Sequence, residues 1–294
     1  MNKALFTYIL IIGIAGTAGT TTGVLGKNLL GQEEVIYKGD PNQYQDDAAA
    51  LLTEYEKNPK KNFTASQLVN IGLEKYRRCE NSYSIGIGLA DTVVKQTIRN
   101  YQIKNGDTYF EESISKSDMV GVANRVVQTG KNGNIRLYKG NAGGAEKATY
   151  PAENPSKDKQ WSKEEYKNYL GRTLDQMFIY IIGNDTVLSE GTKIEKSGDE
   201  IKVTLNLHPD IASYYYKIQM KNISGLDALP SFAYLKHTYT FSKDMVLKEM
   251  CADEKYTASM GISVNIRNTI NYYYHANEVM EIPSNNTSLD YSKI

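Results

Sequence analysis

The residues of this chain with a chemistry of their own are three histidines, two cysteines and a few clustered carboxylates, and their spacing gathers none of them into a reaction centre. His208 directly precedes Pro209 at the start of a predicted helix, whereas His237 and His275 fall on predicted strands. No Ser, Cys or Asp stands beside any of them in a nucleophile motif, so all three read as structural histidines. Cys79 and Cys251 are the only cysteines. Two thiols cannot build a four-cysteine zinc site, and their spacing to the histidines excludes a zinc finger. They read either as a bridge in an exported protein or as buried, inert thiols. Glu111-Glu112 and Glu164-Glu165 are adjacent pairs. Neighbours on a strand face opposite ways and the second pair serves a helix start, so neither makes a paired-carboxylate centre.

Two further clusters read the same way. Asp40, Asn42, Asp46 and Asp47 carry the oxygens that calcium prefers, but at the spacing of no defined calcium loop, and read as solvated tether. Gly86-Ile87-Gly88-Leu89-Ala90-Asp91 supplies two glycines of a dinucleotide-binding turn, without the third and without a βαβ frame. Glycine there is expected to mark a bulge or strand bend. No catalytic residue, metal or cofactor is assigned, and the protein is expected not to be an enzyme.

What remains is tyrosine: 23 of them, against six Phe and one Trp. A tyrosine packs its ring inward while its hydroxyl reaches water, which suits half-buried sheet faces. The runs Tyr214-Tyr215-Tyr216 and Tyr272-Tyr273-Tyr274, on a helix and a strand, must each place tyrosines on both faces. Some then contact a flap, a ligand in a groove or a partner; a half-exposed amphipathic surface is the plainer reading.

The elements that position these residues follow an apolar leader. Ala4 to Gly26 carries no charge and only Lys3 precedes it, a length that crosses a bilayer. Residues 1–27 read as a signal peptide, with Gly16 and Ala18 where a peptidase needs small residues, or as an uncleaved anchor. Lys3 favours the amino terminus inside and the body outside, so the expected location is the cell membrane with an extracytoplasmic body, or secretion. The 34 basic and 34 acidic residues balance, which gives no bulk attraction to nucleic acid.

Residues 28–63 read as a polar tether carrying a short helix over Asp46–Lys57. Thr64 with Gln67 makes a capping box opening a helix to Arg78. From Ser82 to Tyr138 the period becomes two, with strands over Tyr83–Leu89, Gln96–Lys104, Thr108–Ser115, Met119–Gln128 and Asn134–Tyr138. Asn105-Gly106-Asp107 and Lys131-Asn132-Gly133 mark hairpins. Residues 140–160 form a long loop, a flap or a seam between halves. Ser162 with Glu165 opens the clearest amphipathic helix, expected to run to Ile181 and to bury Leu174, Met177, Phe178 and Ile181. A hairpin (Thr192–Lys196, Glu200–Leu207), a helix from Pro209 to Lys221 and strands Ser231–Phe241, Val246–Ala258 and Ile262–Ala276 complete a body over 64–283, with a disordered tail over 284–294. The fold class is α+β: a curved antiparallel sheet covered by helices, after an N-terminal apolar helix.

This layout resembles the lipoprotein-carrier superfamily that includes LolA, LppX and RseB. The resemblance rests on the opening helix Thr64–Arg78 before a meander, the central helix from Ser162, and closing long strands that end in Asn277-Glu278-Val279-Met280-Glu281-Ile282-Pro283. It implies a half-barrel with a lipid or other lipophilic ligand in its concave side, or an envelope-stress sensor; no functional residue carries over. The leader lacks the lipobox Cys of the lipid-anchored members. A ligand between the central helix and the sheet would lie along Met177, Tyr180 and Ile181, with Tyr272, Tyr273 and Tyr274 at the mouth. The alternative is a structural or assembly subunit of a cell-envelope machine with a nuclear-transport-factor-like or cystatin-like domain, whose partner is another envelope protein.

Overall fold

A computed structural model of the chain describes residues 41–91, 95–117, 121–129, 135–141, 147–149, 159–174, 179–224, 228–258, 261–274 and 288–290. The leader and the first part of the tether lie outside them. No helix among the described residues is long and apolar enough to cross a membrane.

A 3-10 turn at Pro41–Tyr44 leads into α1 (Ala48–Lys57) and α2 (Ala65–Arg78). Asp47 accepts from the Ala50 N–H at 3.0 Å. The capping box of Thr64 and Gln67 forms as expected. Strands β1 (Asn81–Asp91), β2 (Lys95–Asn105), β3 (Thr108–Ser117), β4 (Gly121–Thr129) and β5 (Ile135–Asn141) make the first meander. The short β6 (Lys147–Thr149) and β7 (Lys159–Trp161) fall within the expected loop, and β7 pairs with β5. After α3 (Lys163–Leu170) come β8 (Val187–Ser197) and β9 (Glu200–Leu207), then α4 (Pro209–Ala212) and α5 (Tyr214–Ser224). Strands β10 (Ser231–Ser242), β11 (Leu247–Thr257) and β12 (Ser263–Tyr274) finish the second meander. Eleven strands form one open antiparallel sheet in the order β7-β5-β4-β3-β2-β1-β12-β11-β10-β9-β8. The two meanders therefore meet at its centre, where β1 pairs with β12 from Ser82↔Tyr274 to Asp91↔Asn265.

Helices cover one face of this sheet, the inner face. The helix α2 buries Leu68, Val69, Ile71, Leu73 and Tyr76 there, and Tyr76 meets Tyr272 edge-on at 4.8 Å. It comes so close to β10 that a Cβ on Gly72 would lie 2.1 Å from the Phe241 ring. Gly72→Ala is expected to lower stability by about 1–3 kcal/mol, since ring and helix must part, and a shifted denaturant midpoint at unchanged slope would register it.

The structure departs from the sequence expectations in five places. The central helix stops at Leu170, not Ile181: Gly171 takes φ 72° and its N–H closes on Lys167 O at 2.8 Å. Leu174 and Ile181 are buried all the same, and Met177 and Phe178 lie outside the described residues. The Pro209 helix breaks at Ser213 into α4 and α5. Gly86 and Gly88 make no bulge, because β1 keeps continuous register with both neighbours. In the tail, β13 (Ser288–Asp290) pairs with β6, so that segment is a strand and not disordered. The tether, too, joins the body by residue 45: Gln45 exchanges two hydrogen bonds of 3.0 Å with the Ile182 backbone.

Candidate functional site

On the inner face a band of buried polar side chains crosses the sheet: Ser113 on β3, Asn100 on β2, Asn268 on β12, Glu254 on β11 and His237 on β10. Register puts four of them in two neighbouring rows and Glu254 in the row beyond, beside Leu235 and Ile266. Ser113, Asn100, Gly86 and Ile270 lie side by side in one row. Ile98, Gly88, Asn268, Ala252 and His237 lie side by side in the next.

At one end of the band, Glu254 Oε1 accepts the Tyr180 hydroxyl and lies 3.0 Å from His237 Nε2. The Tyr239 hydroxyl stands 3.4 Å from His237 Nδ1. An Nδ1 that accepts leaves Nε2 to carry the proton and donate to Glu254; this tautomer is assigned from the network. The Tyr180 ring meets the imidazole edge-on at 4.4 Å. Burial, and then the Glu254 carboxyl, push the hydroxyls of Tyr180 and Tyr216 well above the ordinary tyrosine value. Both hydroxyls therefore keep their protons, and that of Tyr180 donates to Glu254. Chemically this end is a clasp: it holds the chain at Tyr180 down onto β11.

At the other end, Arg172 Nη2 stands 3.0 Å from both Glu111 oxygens, and Gln102 adds a bond of 2.7 Å to Oε1. Both charged side chains are at most 3% exposed. Burial disfavours the guanidinium charge, but the Glu111 carboxylate beside it wins and holds Arg172 more firmly protonated than usual. The chain after α3 is thus pinned to β3 through Arg172 and to β11 through Tyr180, with β2, β1 and β12 between the two pins.

In the centre lie two carboxamides over two glycines. A Cβ on Gly88 would sit 3.0 Å from Asn268 Oδ1, and one on Gly86 would sit 3.4 Å from Asn100 Nδ2. Asn268 and Asn100 thus reach over β1 from opposite sides into the space that glycine leaves open. Ser113 donates to Asn100 Oδ1 at 2.6 Å and so turns its Nδ2 outward. That Nδ2, and both polar atoms of Asn268, are buried without a hydrogen-bond partner. Buried polar groups are almost always paired, so three such atoms in one patch call for a hydrogen-bonding occupant.

Of the residues expected along a groove, Tyr180 and Ile181 are buried in the segment after α3. Tyr272 and Tyr274 also point inward, but to Tyr76 and not to Tyr180. Tyr239 is the neighbour common to Tyr180 and Tyr272. Tyr273 points to the opposite, outer face, stacked on Tyr83 at 4.5 Å, so it lines no inner mouth; the register of β12 requires this once Tyr272 faces in. Met177 lies outside the described residues. His237 is buried in the clasp, while His208 accepts from the Asp210 N–H at 3.3 Å as the cap of α4. His275 lies outside the described residues, and both cysteines are free. Glu111 and Glu112 face opposite ways yet are both buried. Among the described residues no cluster of three or more His, Cys, Asp or Glu is placed to hold a metal.

No family model matches the chain, and no curated protein matches it. Among solved structures, an N-terminal dehydratase from the difficidin assembly line is 10% identical at a TM-score of 0.14, over 72% of this chain and 84% of its own. A candidate outer membrane protein from Bacteroides fragilis is 8% identical at a TM-score of 0.12, over 68% and 99%. Neither shows a relationship to lipoprotein carriers.

Proposed function

We propose that the protein is a non-enzymatic, extracytoplasmic binding domain, tethered to the cell membrane by residues 1–27 or released from them, whose sheet curves as a half-barrel around a ligand on its inner face. The observation that carries this reading is the patch of unpartnered buried carboxamides at the centre of that face, between the pins at Arg172 and Tyr180. Binding is favoured over catalysis because the titratable groups around the patch are already engaged: Arg172 with Glu111, Glu254 with Tyr180 and His237. The lipophilic ligand implied by the carrier resemblance would have to share the face with the apolar side chains that α2 and α5 pack against β9 to β12.

One observation favours the alternative of an assembly subunit. On the outer face of β1, Ile87 and Leu89 are 57% and 62% exposed, in line with the Tyr83–Tyr273 stack. Such a stripe suits a partner protein of the envelope.

Native mass spectrometry of the full chain, extracted in mild detergent, is expected to show a bound small molecule that leaves on unfolding. If only the bare chain is seen, the binding reading fails and the assembly subunit takes its place. A reporter active only outside the membrane, fused after Lys57, is expected to be active; activity of a cytoplasm-only reporter at that position would overturn the location.

A further inference from the structure

We infer that the Asn100–Asn268 patch binds a neutral ligand through a secondary amide, the group shared by peptide bonds and N-acetylated sugars. The inference rests on the binding reading above and names the chemistry of that site.

The patch offers one hydrogen-bond donor and one acceptor, over successive inner positions of β1. Asn100 Nδ2 lies over Gly86 and Asn268 Oδ1 over Gly88. Two residues along a strand separate these glycines by about 7 Å. A secondary amide bridges such a gap: its carbonyl oxygen accepts from Asn100 and its N–H donates to Asn268. Two hydrogen bonds of about 2.9 Å and an O-to-N span of roughly 2.3 Å across the amide add to the required reach. In the assigned amide orientation, Ser113 donates to Asn100 Oδ1 and leaves Nδ2 as the donor to the ligand. Asn268, with both polar atoms unpartnered, can turn either end to the ligand.

Charge and shape narrow the class further. Arg172 and Glu111 neutralise each other, and Glu254 holds Tyr180 and His237 through Oε1, so among the described residues the ions flanking the patch are each held by protein partners and a neutral group fits between them. Ile98 stands across Gly88 from Asn268, and Ile270 across Gly86 from Asn100. The floor therefore alternates amide and isobutyl-sized apolar surface, which fits an acetamido or peptide group with its methyl or Cα against isoleucine. A Cβ at either glycine would meet an asparagine at 3.4 Å or less, so that the carboxamide over it would have to shift.

The test is calorimetric titration of the full chain in detergent with four probes: N-acetylglucosamine, N-acetylalanine methylamide, glucose and oleate. One or both amide probes are expected to bind with Kd of roughly 1 mM or tighter, glucose not at all. Preference between the two amides tells a sugar source from a peptide source. Asn268→Leu is expected to weaken amide binding by about tenfold or more while raising the Tm of the unliganded protein, because it removes an unpaired buried amide. A purely structural asparagine would lower the Tm instead. Asn100→Asp, nearly isosteric but without the N–H donor, repeats the test should the leucine variant fail to fold, and is expected to lose binding as well. If neither amide binds while oleate or glucose does, unaffected by Asn268→Leu, the inference falls and the binding reading stands. If no probe binds and the protein carries no native ligand, ordered water fills the patch and both fall.

Discussion

Raising the pH from 9 to 11 is expected to unfold this protein cooperatively, with tyrosine ionisation as the driving force. Tyr76, Tyr180, Tyr216, Tyr239, Tyr256 and Tyr272 are all buried, and burial raises every one of their hydroxyls above the ordinary value of 10. A seventh, Tyr101, is pushed up to about 12. The sign follows from proton counting. Between the unfolded and folded values the unfolded chain has released protons that the native state still holds, so stability falls as pH rises. At pH 11 each of the six buried hydroxyls costs about 1.4 kcal/mol, together about 8 kcal/mol, against a total stability of typically 5–15 kcal/mol. Absorbance of tyrosinate near 295 nm, followed together with circular dichroism, checks this: the late tyrosinate signal should appear only as ellipticity is lost. Full ionisation of the tyrosines on an intact fold would refute it.

Removing the guanidinium of Arg172 is the most damaging single change expected on the inner face. Arg172→Met leaves the Glu111 carboxylate buried at 2% exposure without the guanidinium, while Gln102 still donates to it. Breaking a buried pair on one side costs about 3–5 kcal/mol, whereas replacing both partners with apolar groups is often near neutral. Arg172→Met with Glu111→Leu should therefore recover most of the loss. A strongly negative coupling in the double-mutant cycle supports the pin between the chain after α3 and β3; additive losses would show that the two side chains act apart.

Much of the architecture was legible in the sequence because short-range chemistry announces it. Asn105-Gly106-Asp107, Ser197-Gly198-Asp199 and Ser242-Lys243-Asp244 each sit between paired strands, with Gly106 and Gly198 at positive φ. Both capping boxes form at the residues that encode them. The end of the central helix was not legible. Leu174 and Ile181 continue the apolar spacing and are buried whether the backbone is helical or extended, so periodicity could not register the stop at Gly171. The candidate site was hidden by the same alternation that revealed the strands. On β2 the inner positions Asn100, Gln102 and Lys104 look like a solvent face, and the outer Tyr101 and Ile103 look like a core face. Glu254 and His237, likewise, are far from Tyr180 in sequence, and only long-range pairing sets them against it. The one local hint was Gly86-x-Gly88: two glycines two apart on a strand clear one face, and here that face is the inner one.

The seam between β1 and β12 has a consequence for how the chain is made. Every other neighbour in the β1–β5 and β8–β12 meanders is joined to the strand next to it in sequence, but β1 waits for a partner about 180 residues downstream. During synthesis the first meander can pair hairpin by hairpin while β1 keeps one edge open, with Ile87 and Leu89 on its outer side. Pairing of such long range is slow to form and prone to mispairing until it does. An open apolar edge recruits other strands, including those of a second nascent copy. A chain interrupted before Ser263 would never close that edge, so nonsense or proteolytic truncation upstream of β12 would yield an aggregating fragment, not a shortened domain.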